Sequence, residues 1–171
     1  MKNIVLIGFM GVGKGSVARE MVKQSDLVAL DTDDIIESME NRSVKKIFVV
    51  EGEEYFRELE RKVARWLQKE VRGTIISTGG GFFKVPNIKK IGTIVYLSAP
   101  FEIIHGRILE HPDAEKKLRK RPLFQDVDKA IKLYDERSAL YKKVADITID
   151  VNNKEMADIA KEILKKVKYH D

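Results

Sequence analysis

With 171 residues, the chain fits one domain (1–171) and can bury a core without covalent staples. It contains no cysteine, which excludes a disulfide framework and a thiolate metal site and fits a cytoplasmic protein; no apolar run is long enough to cross a bilayer. The net charge is +5, yet acidic and basic residues interleave, as from Glu51 to Lys62, so neither a nucleic-acid nor a membrane partner is expected.

Lys2 and the short apolar run Ile4–Ile7 lead straight into glycines, which reads as a buried first strand rather than a signal peptide. Further β-branched runs come at Leu27–Leu30, Thr74–Ile76, Thr93–Leu97 and Asp146–Ile149. Helical spacing fills the intervals at Gly15–Lys23, Ile35–Met39, Val44–Val50, Glu54–Val71, Phe101–Leu109, Asp128–Val144 and Lys154–Val167. Strands alternating with helices predict an α/β fold, a parallel sheet covered on both faces. Ligands of such sheets bind beyond the carboxyl ends of the strands. The stretch 111–126, charged and with two prolines, reads as neither strand nor strong helix, and a long irregular insertion of this kind is a lid candidate. Its basic residues, Lys116 to Arg121, could close over a polyphosphate. The basic residues of the last helix read as a solvated face. Trp66 reads as core, Phe9 and Met10 as packing at a loop edge, and His105, His111 and His170, which lack metal-ligand spacing, as surface residues.

The residues just after each strand carry the chemistry. After the first comes Gly8-Phe9-Met10-Gly11-Val12-Gly13-Lys14-Gly15-Ser16, then a helix. The glycines let Gly11, Val12, Gly13 and their neighbours turn backbone N–H groups onto phosphate oxygens, the helix start adds partial positive charge, and Lys14 can reach the β- and γ-phosphates. This is a P-loop, and it predicts ATP. The pattern calls for Ser or Thr directly after the lysine, because that hydroxyl ligates Mg²⁺, whereas Gly15 stands there. Either water fills the position or Ser16 reaches round to the metal. The expected cost is weaker metal binding or slower turnover, with nucleotide binding kept. After the second strand, Asp31-Thr32-Asp33 places carboxylates opposite the P-loop, suited to magnesium or a substrate hydroxyl, though Asp31 or Thr32 can equally cap the next helix. Arg57, one turn before Glu60, and Arg137 on a late helix are candidate forks for a carboxylate. Gly79-Gly80-Gly81 after the third strand is costly in chain entropy and lets backbone approach a ligand.

The glycine loop, Asp31-Thr32-Asp33, Phe56-Arg57-Glu58-Leu59-Glu60, Gly79-Gly80-Gly81, Arg121-Pro122-Leu123 and Arg137 to Tyr141 stand in an order and spacing that resembles the shikimate kinase family, from about Lys2 to the last helix. The resemblance implies a nucleoside-monophosphate-kinase-like fold with five parallel strands in the order 2-3-1-4-5. It also implies transfer of the ATP γ-phosphate to the 3-hydroxyl of shikimate, a step towards chorismate and the aromatic amino acids, with Mg²⁺ as cofactor. Carried over, Asp33 grips the substrate hydroxyls and helps accept the proton. Arg57 and Arg137 clamp the carboxylate, and Gly79 to Gly81 contribute backbone contacts. Lys14 stabilises the moving phosphoryl group, Arg121 closes over the nucleotide, and Asp31 supports magnesium through water. The substrate-binding helical region spans about 32–60. The adenine-binding loop falls near Asp150–Lys154, with Arg107 or Arg119 stacking on the base.

Two other readings stand beside this one. A related small kinase could act on gluconate, although the Arg137 segment favours shikimate. Gly15 leaves open a nucleotide-binding protein with little or no catalysis, against which the full carboxylate clamp argues. A monomer is expected.

Overall fold

Asn3, the first residue of β1 (Asn3–Ile7), is a polar side chain with no exposure at all. Its amide donates to the carbonyls of Val71 and Ile91, both at 2.9 Å, and accepts from the Thr74 N–H at 3.1 Å. In the computed structural model, which describes residues 1–169, this one amide ties together the amino ends of three neighbouring strands. They belong to a five-stranded parallel sheet in the order β2-β3-β1-β4-β5, with β2 at Val28–Asp31, β3 at Thr74–Ser77, β4 at Gly92–Ser98 and β5 at Ile147–Asp150. Every residue of β1 and β3 is buried, as continuous apolar strands covered on both faces should be. The order matches the expectation, and each strand lies within a residue or so of its predicted bounds.

The helices are α1 (Lys14–Lys23), α2 (Thr32–Glu40), α3 (Val44–Glu51), α4 (Glu53–Glu70), α5 (Ile88–Ile91), α6 (Phe101–Glu110), α7 (Ala114–Lys120), α8 (Val127–Val144) and α9 (Met156–Lys166). On one side α1 packs on α9 and β3, while α2, α3 and α4 form a group that begins at the edge strand β2. The stripe Ile159, Ala160, Ile163 and Leu164 buries α9, and Lys161, Lys165 and Lys166 face water as expected.

Three expectations are corrected. Residues 111–126 are largely helical: α7 is followed by a 3₁₀ turn at Pro122–Gln125. Ala, Glu, Lys, Leu and Arg form helices well, but no residue of α7 is buried, so there was no apolar stripe to betray it. Trp66 is 43 % exposed, because the buried stripe of α4 runs through Phe56, Glu60, Val63, Ala64 and Leu67 and position 66 points away from it. Phe9 is 1 % exposed and belongs to the core rather than the edge of its loop. His170 lies outside the described residues.

Replacing Asn3 with alanine strands the Ile91 carbonyl and the Thr74 N–H in the core, while the Val71 carbonyl keeps its bond from Arg72 Nη1 at 2.7 Å; we expect a loss of about 2–4 kcal/mol in urea unfolding, with the strand order and substrate affinities retained.

Candidate active site

The carboxyl ends of β1, β2 and β3 deliver three loops to one place. From β1 the chain turns through Gly8 to Gly13, and Gly13 has φ 106, a left-handed conformation that a side chain disfavours. Gly13 is the N-cap of α1 and makes no side-chain capping bond, so the first N–H groups of the helix remain available for an anion. Lys14 folds back over the loop, its Nζ donating to the Gly8 carbonyl at 2.7 Å and the Phe9 carbonyl at 3.1 Å. Burial pulls its ammonium down to about 8, with the charge of Asp33 opposing.

Asp31 caps α2: its Oδ1 accepts from the N–H groups of Asp33 and Asp34 at 2.9 and 3.2 Å. The capping reading of this residue therefore holds, and Oδ2 is the oxygen left for other work. Thr32, fully buried, accepts the Gly79 N–H on its Oγ1 at 3.1 Å and so joins the loop after β2 to the loop after β3. Asp33 is half-buried and its Oδ1 has no hydrogen bond. Burial pushes its carboxyl up to about 7; Asp31 and Glu60 add to the rise and Lys14 opposes it.

The glycine triplet owes its composition to closeness rather than to unusual dihedrals, since none of Gly79, Gly80 and Gly81 has positive φ. A Cβ on Gly79 would lie 2.6 Å from Asp33 Oδ1, one on Gly80 3.1 Å from Arg137 Nη1, and one on Gly81 2.5 Å from Arg57 Nη1. Each glycine thus makes room for one charged side chain. Arg57 donates through Nη1 to Glu60 Oε1 and through Nε and Nη2 to Glu53 Oε1 at 3.3 and 3.2 Å. Glu60 is 1 % exposed and its Oε2 has no partner; burial raises its pKa and Arg57 opposes that. Arg137, on α8, is buried with Nε unpaired. One turn on, the Tyr141 hydroxyl donates to the Gly80 carbonyl at 2.6 Å. A cavity of about 390 Å³ opens beside Arg57, Glu60 and Gly81. Sequence reasoning weighed Thr32 only as a cap and gave no role to Glu60 or Tyr141; the three-residue spacing of Arg57 and Glu60 on one helix was the available signal.

Segment 111–126 reaches this site through an aromatic cluster. Phe124 is buried and meets the Phe9 ring edge-on at 6.0 Å, and His105 stacks on both Phe101 and Phe124. His105 is therefore half-buried rather than a surface residue. Arg121, three residues before Phe124, is partly buried with no carboxylate partner among the described residues, and burial lowers its pKa. On the other side of the P-loop, Met156 Cε lies 3.0 Å from where a Gly13 Cβ would be, which brings the loop after β5 alongside. There Arg107 Nη2 donates to the Val151 carbonyl at 3.1 Å, while its Nη1 and Asn152 Oδ1 are buried without partners. Arg119 is exposed; its Nε donates to the Glu115 carbonyl of its own helix at 3.4 Å and its carbonyl accepts from Lys45 Nζ at 3.4 Å.

The residues present do not fit a magnesium ion held directly by side chains. Gly15 offers no oxygen, Ser16 Oγ already accepts from Arg19 at 3.2 Å, and no cluster of three His, Asp or Glu suited to a metal exists among the described residues.

The family model described as shikimate kinase matches residues 10–168. A shikimate kinase of Helicobacter hepaticus is 38 % identical over 96 % of this chain and 95 % of its own. Among solved structures, a shikimate kinase from Acinetobacter baumannii in complex with shikimate superposes with a TM-score of 0.78 at 31 % identity, covering 98 % of this chain and 93 % of that one. The shikimate kinase of Aquifex aeolicus gives the same TM-score at 32 % identity, covering 97 % and 96 %. With the P-loop, the glycine triplet and its three charged neighbours in place, the chain belongs to the shikimate kinase family.

Proposed function

We propose that the protein transfers the γ-phosphoryl group of ATP to the 3-hydroxyl of shikimate, yielding shikimate 3-phosphate and ADP. One observation carries the reading. The five buried side-chain polar atoms without a partner among the described residues fall in two places. Asp33 Oδ1, Glu60 Oε2 and Arg137 Nε surround the glycine triplet, while Arg107 Nη1 and Asn152 Oδ1 border the loop after β5. Buried polar groups are almost always satisfied, so two such groups flanking one P-loop are best satisfied by two polar ligands. A carboxylated polyol suits the first, with its anion between Arg57 and Arg137 and its hydroxyls on Asp33. The base of a nucleotide suits the second, with Arg107 rather than Arg119 against it.

The chain's residues then act by positioning and electrostatics, as phosphoryl transfer requires. The two arginines fix the substrate so that its 3-hydroxyl faces Asp33. That oxygen forms the new bond to the γ-phosphorus as the bond to the β,γ-bridging oxygen breaks, and the hydroxyl proton passes to the Asp33 carboxylate. Backbone N–H groups of Gly11 to Ser16 cradle the phosphates, and Lys14 exchanges its carbonyl partners for the charge that moves to the leaving ADP. Residues 111–126 act as the lid, bringing Arg121 over the phosphates and excluding water. A magnesium ion bound with ATP would supply charge neutralisation, and Asp31, through the Oδ2 that its capping bonds leave over, and Ser16 are the residues that would support it through water. We place this activity in a single domain of residues 1–171 working as a cytoplasmic monomer. No described helix is long and apolar enough to cross a membrane.

ADP release from Mg-ATP should depend on shikimate. Release that ignores shikimate, or none despite measurable ATP binding, contradicts the assignment and leaves a nucleotide-binding protein.

Asp33 must be a carboxylate to accept the proton, and its free-protein pKa is about 7. kcat/KM should therefore fall about tenfold per pH unit below that value. A second decline is expected above about 8, where Lys14 loses its charge. Folded Asp33 keeps its proton up to about 7, while the unfolded chain releases it near 3.8. Its contribution to stability is full below the lower value and is lost as the pH rises through the upper one. A flat kcat/KM profile through neutrality would sink the role of Asp33.

The two outer glycines of the triplet should fail differently. Gly79→Ala displaces the Asp33 carboxylate and should lower kcat about 10²-fold, whereas Gly81→Ala displaces Arg57 and should act mainly on the KM for shikimate. Steady-state kinetics that show the same kcat and KM pattern for both would contradict the pairing of glycines with side chains.

A further inference from the structure

The roles assigned above to the phosphoryl transfer leave Arg19 unused. It stands four residues after Gly15 on α1, on the same helix face. Its Nη2 donates to Ser16 Oγ at 3.2 Å, and its Nη1 lies 3.6 Å from the point where a Gly15 Cβ would be. The guanidinium is exposed and within ion-pair distance of no carboxylate among the described residues, while Arg57, Arg61 and Arg65 of α4 and Arg42 of the turn before α3 each have one. Across from it, Lys117 of α7 feels the charges of Arg121 and Arg19, with Asp113 opposing them. An arginine fork beside the first turn of a phosphate loop, with no carboxylate of the described residues paired to it, is an incomplete site for an anion with several oxygens.

The same position explains what replaces the missing hydroxyl. In a P-loop the side chain after the lysine reaches the phosphates through a metal ion. Here that residue is Gly15, and the room beside it holds a cation that is covalently part of the chain. A divalent ion ligated at this point and the guanidinium would repel each other at close range. We propose that Arg19 binds the phosphate oxygens of the nucleotide directly, so that this chain holds a nucleoside di- or triphosphate with little help from divalent metal. The inference rests on the nucleotide reading of the P-loop and assigns a phosphate-binding residue beyond it.

The position permits the converse experiment. Gly15 has an ordinary helical φ, and a Cβ there makes only van der Waals contact with Arg19, so a serine fits. ADP is the probe, titrated calorimetrically into the whole chain with EDTA and again with Mg²⁺. The unaltered protein should bind ADP within about threefold of the same affinity in both buffers. Arg19→Gln should bind at least about tenfold more weakly in EDTA, as expected for the loss of a charge-assisted contact, with its thermal midpoint unchanged. Arg19→Lys should recover part of the loss. The double variant Gly15→Ser with Arg19→Gln should regain affinity only when Mg²⁺ is present. Wild-type affinity of Arg19→Gln in EDTA overturns the inference while leaving the nucleotide reading intact. No ADP binding by the unaltered chain in either buffer overturns that reading and the inference together.

Discussion

Three consecutive residues without side chains allow a carboxylate and two guanidinium groups to meet at the edge of a parallel sheet, and the rest of the site depends on that closeness. Asp33, Arg137 and Arg57 each occupy the volume that a Cβ on Gly79, Gly80 or Gly81 would need. The triplet is held from two directions, by the Thr32 hydroxyl under Gly79 and the Tyr141 hydroxyl on the Gly80 carbonyl. Those anchors belong to α2 and α8, far apart in the chain, so the site forms only once the sheet and its helices are assembled. The Asn3 amide performs the equivalent task at the opposite end of the strands. The sheet is pinned at its amino edge and active at its carboxyl edge, as the general rule for such folds anticipates.

The electrostatics of the site are set first by burial. Asp33 is pushed up and Lys14 pulled down, chiefly by burial in both cases, and each group partly corrects the other. Glu60 remains inside the core stripe of α4 because Arg57 lies against it, and removing either partner would leave a buried charge unpaired. Unsatisfied buried groups of this kind lower the stability of the free protein and strengthen binding of a ligand that satisfies them. On the proposed reading, a carboxylated polyol would supply the acceptors and donors that Asp33 Oδ1, Glu60 Oε2 and Arg137 Nε lack. The price of this arrangement is stability, which the apolar strands and the stripes of α4 and α9 provide elsewhere.

Much of this was legible in the residues. The strand–helix alternation pointed to the parallel sheet, because β-branched runs and helical stripes differ in period, and the family resemblance supplied its strand order. The P-loop announced itself through glycines followed by lysine, and Asp33, Arg57 and Arg137 were singled out by type and by place after strands or on helices. The reason for three glycines was hidden, since the atoms they accommodate come from residues 33, 57 and 137. Glu60 reads in sequence as one more surface glutamate; only the packing of α4 puts it inside. Helix α7 was invisible because it buries nothing, and Trp66 misled because the helical spacing around it was read in the wrong phase: the buried stripe runs through Phe56, Glu60, Val63, Ala64 and Leu67. Arg19 looks like a routine helix residue until the room beside Gly15 is seen to hold its guanidinium.

The central claim is that the charged groups gathered at Gly79 to Gly81 bind a carboxylate beside hydroxyls. The most direct test is calorimetric binding of shikimate to the nucleotide-free protein, set against binding of its methyl ester. The account predicts saturable binding of shikimate and an ester weaker by at least about tenfold, the scale of one charge-assisted contact. Equal affinity for acid and ester would contradict it, because Arg57 and Arg137 would then not be reading the carboxylate.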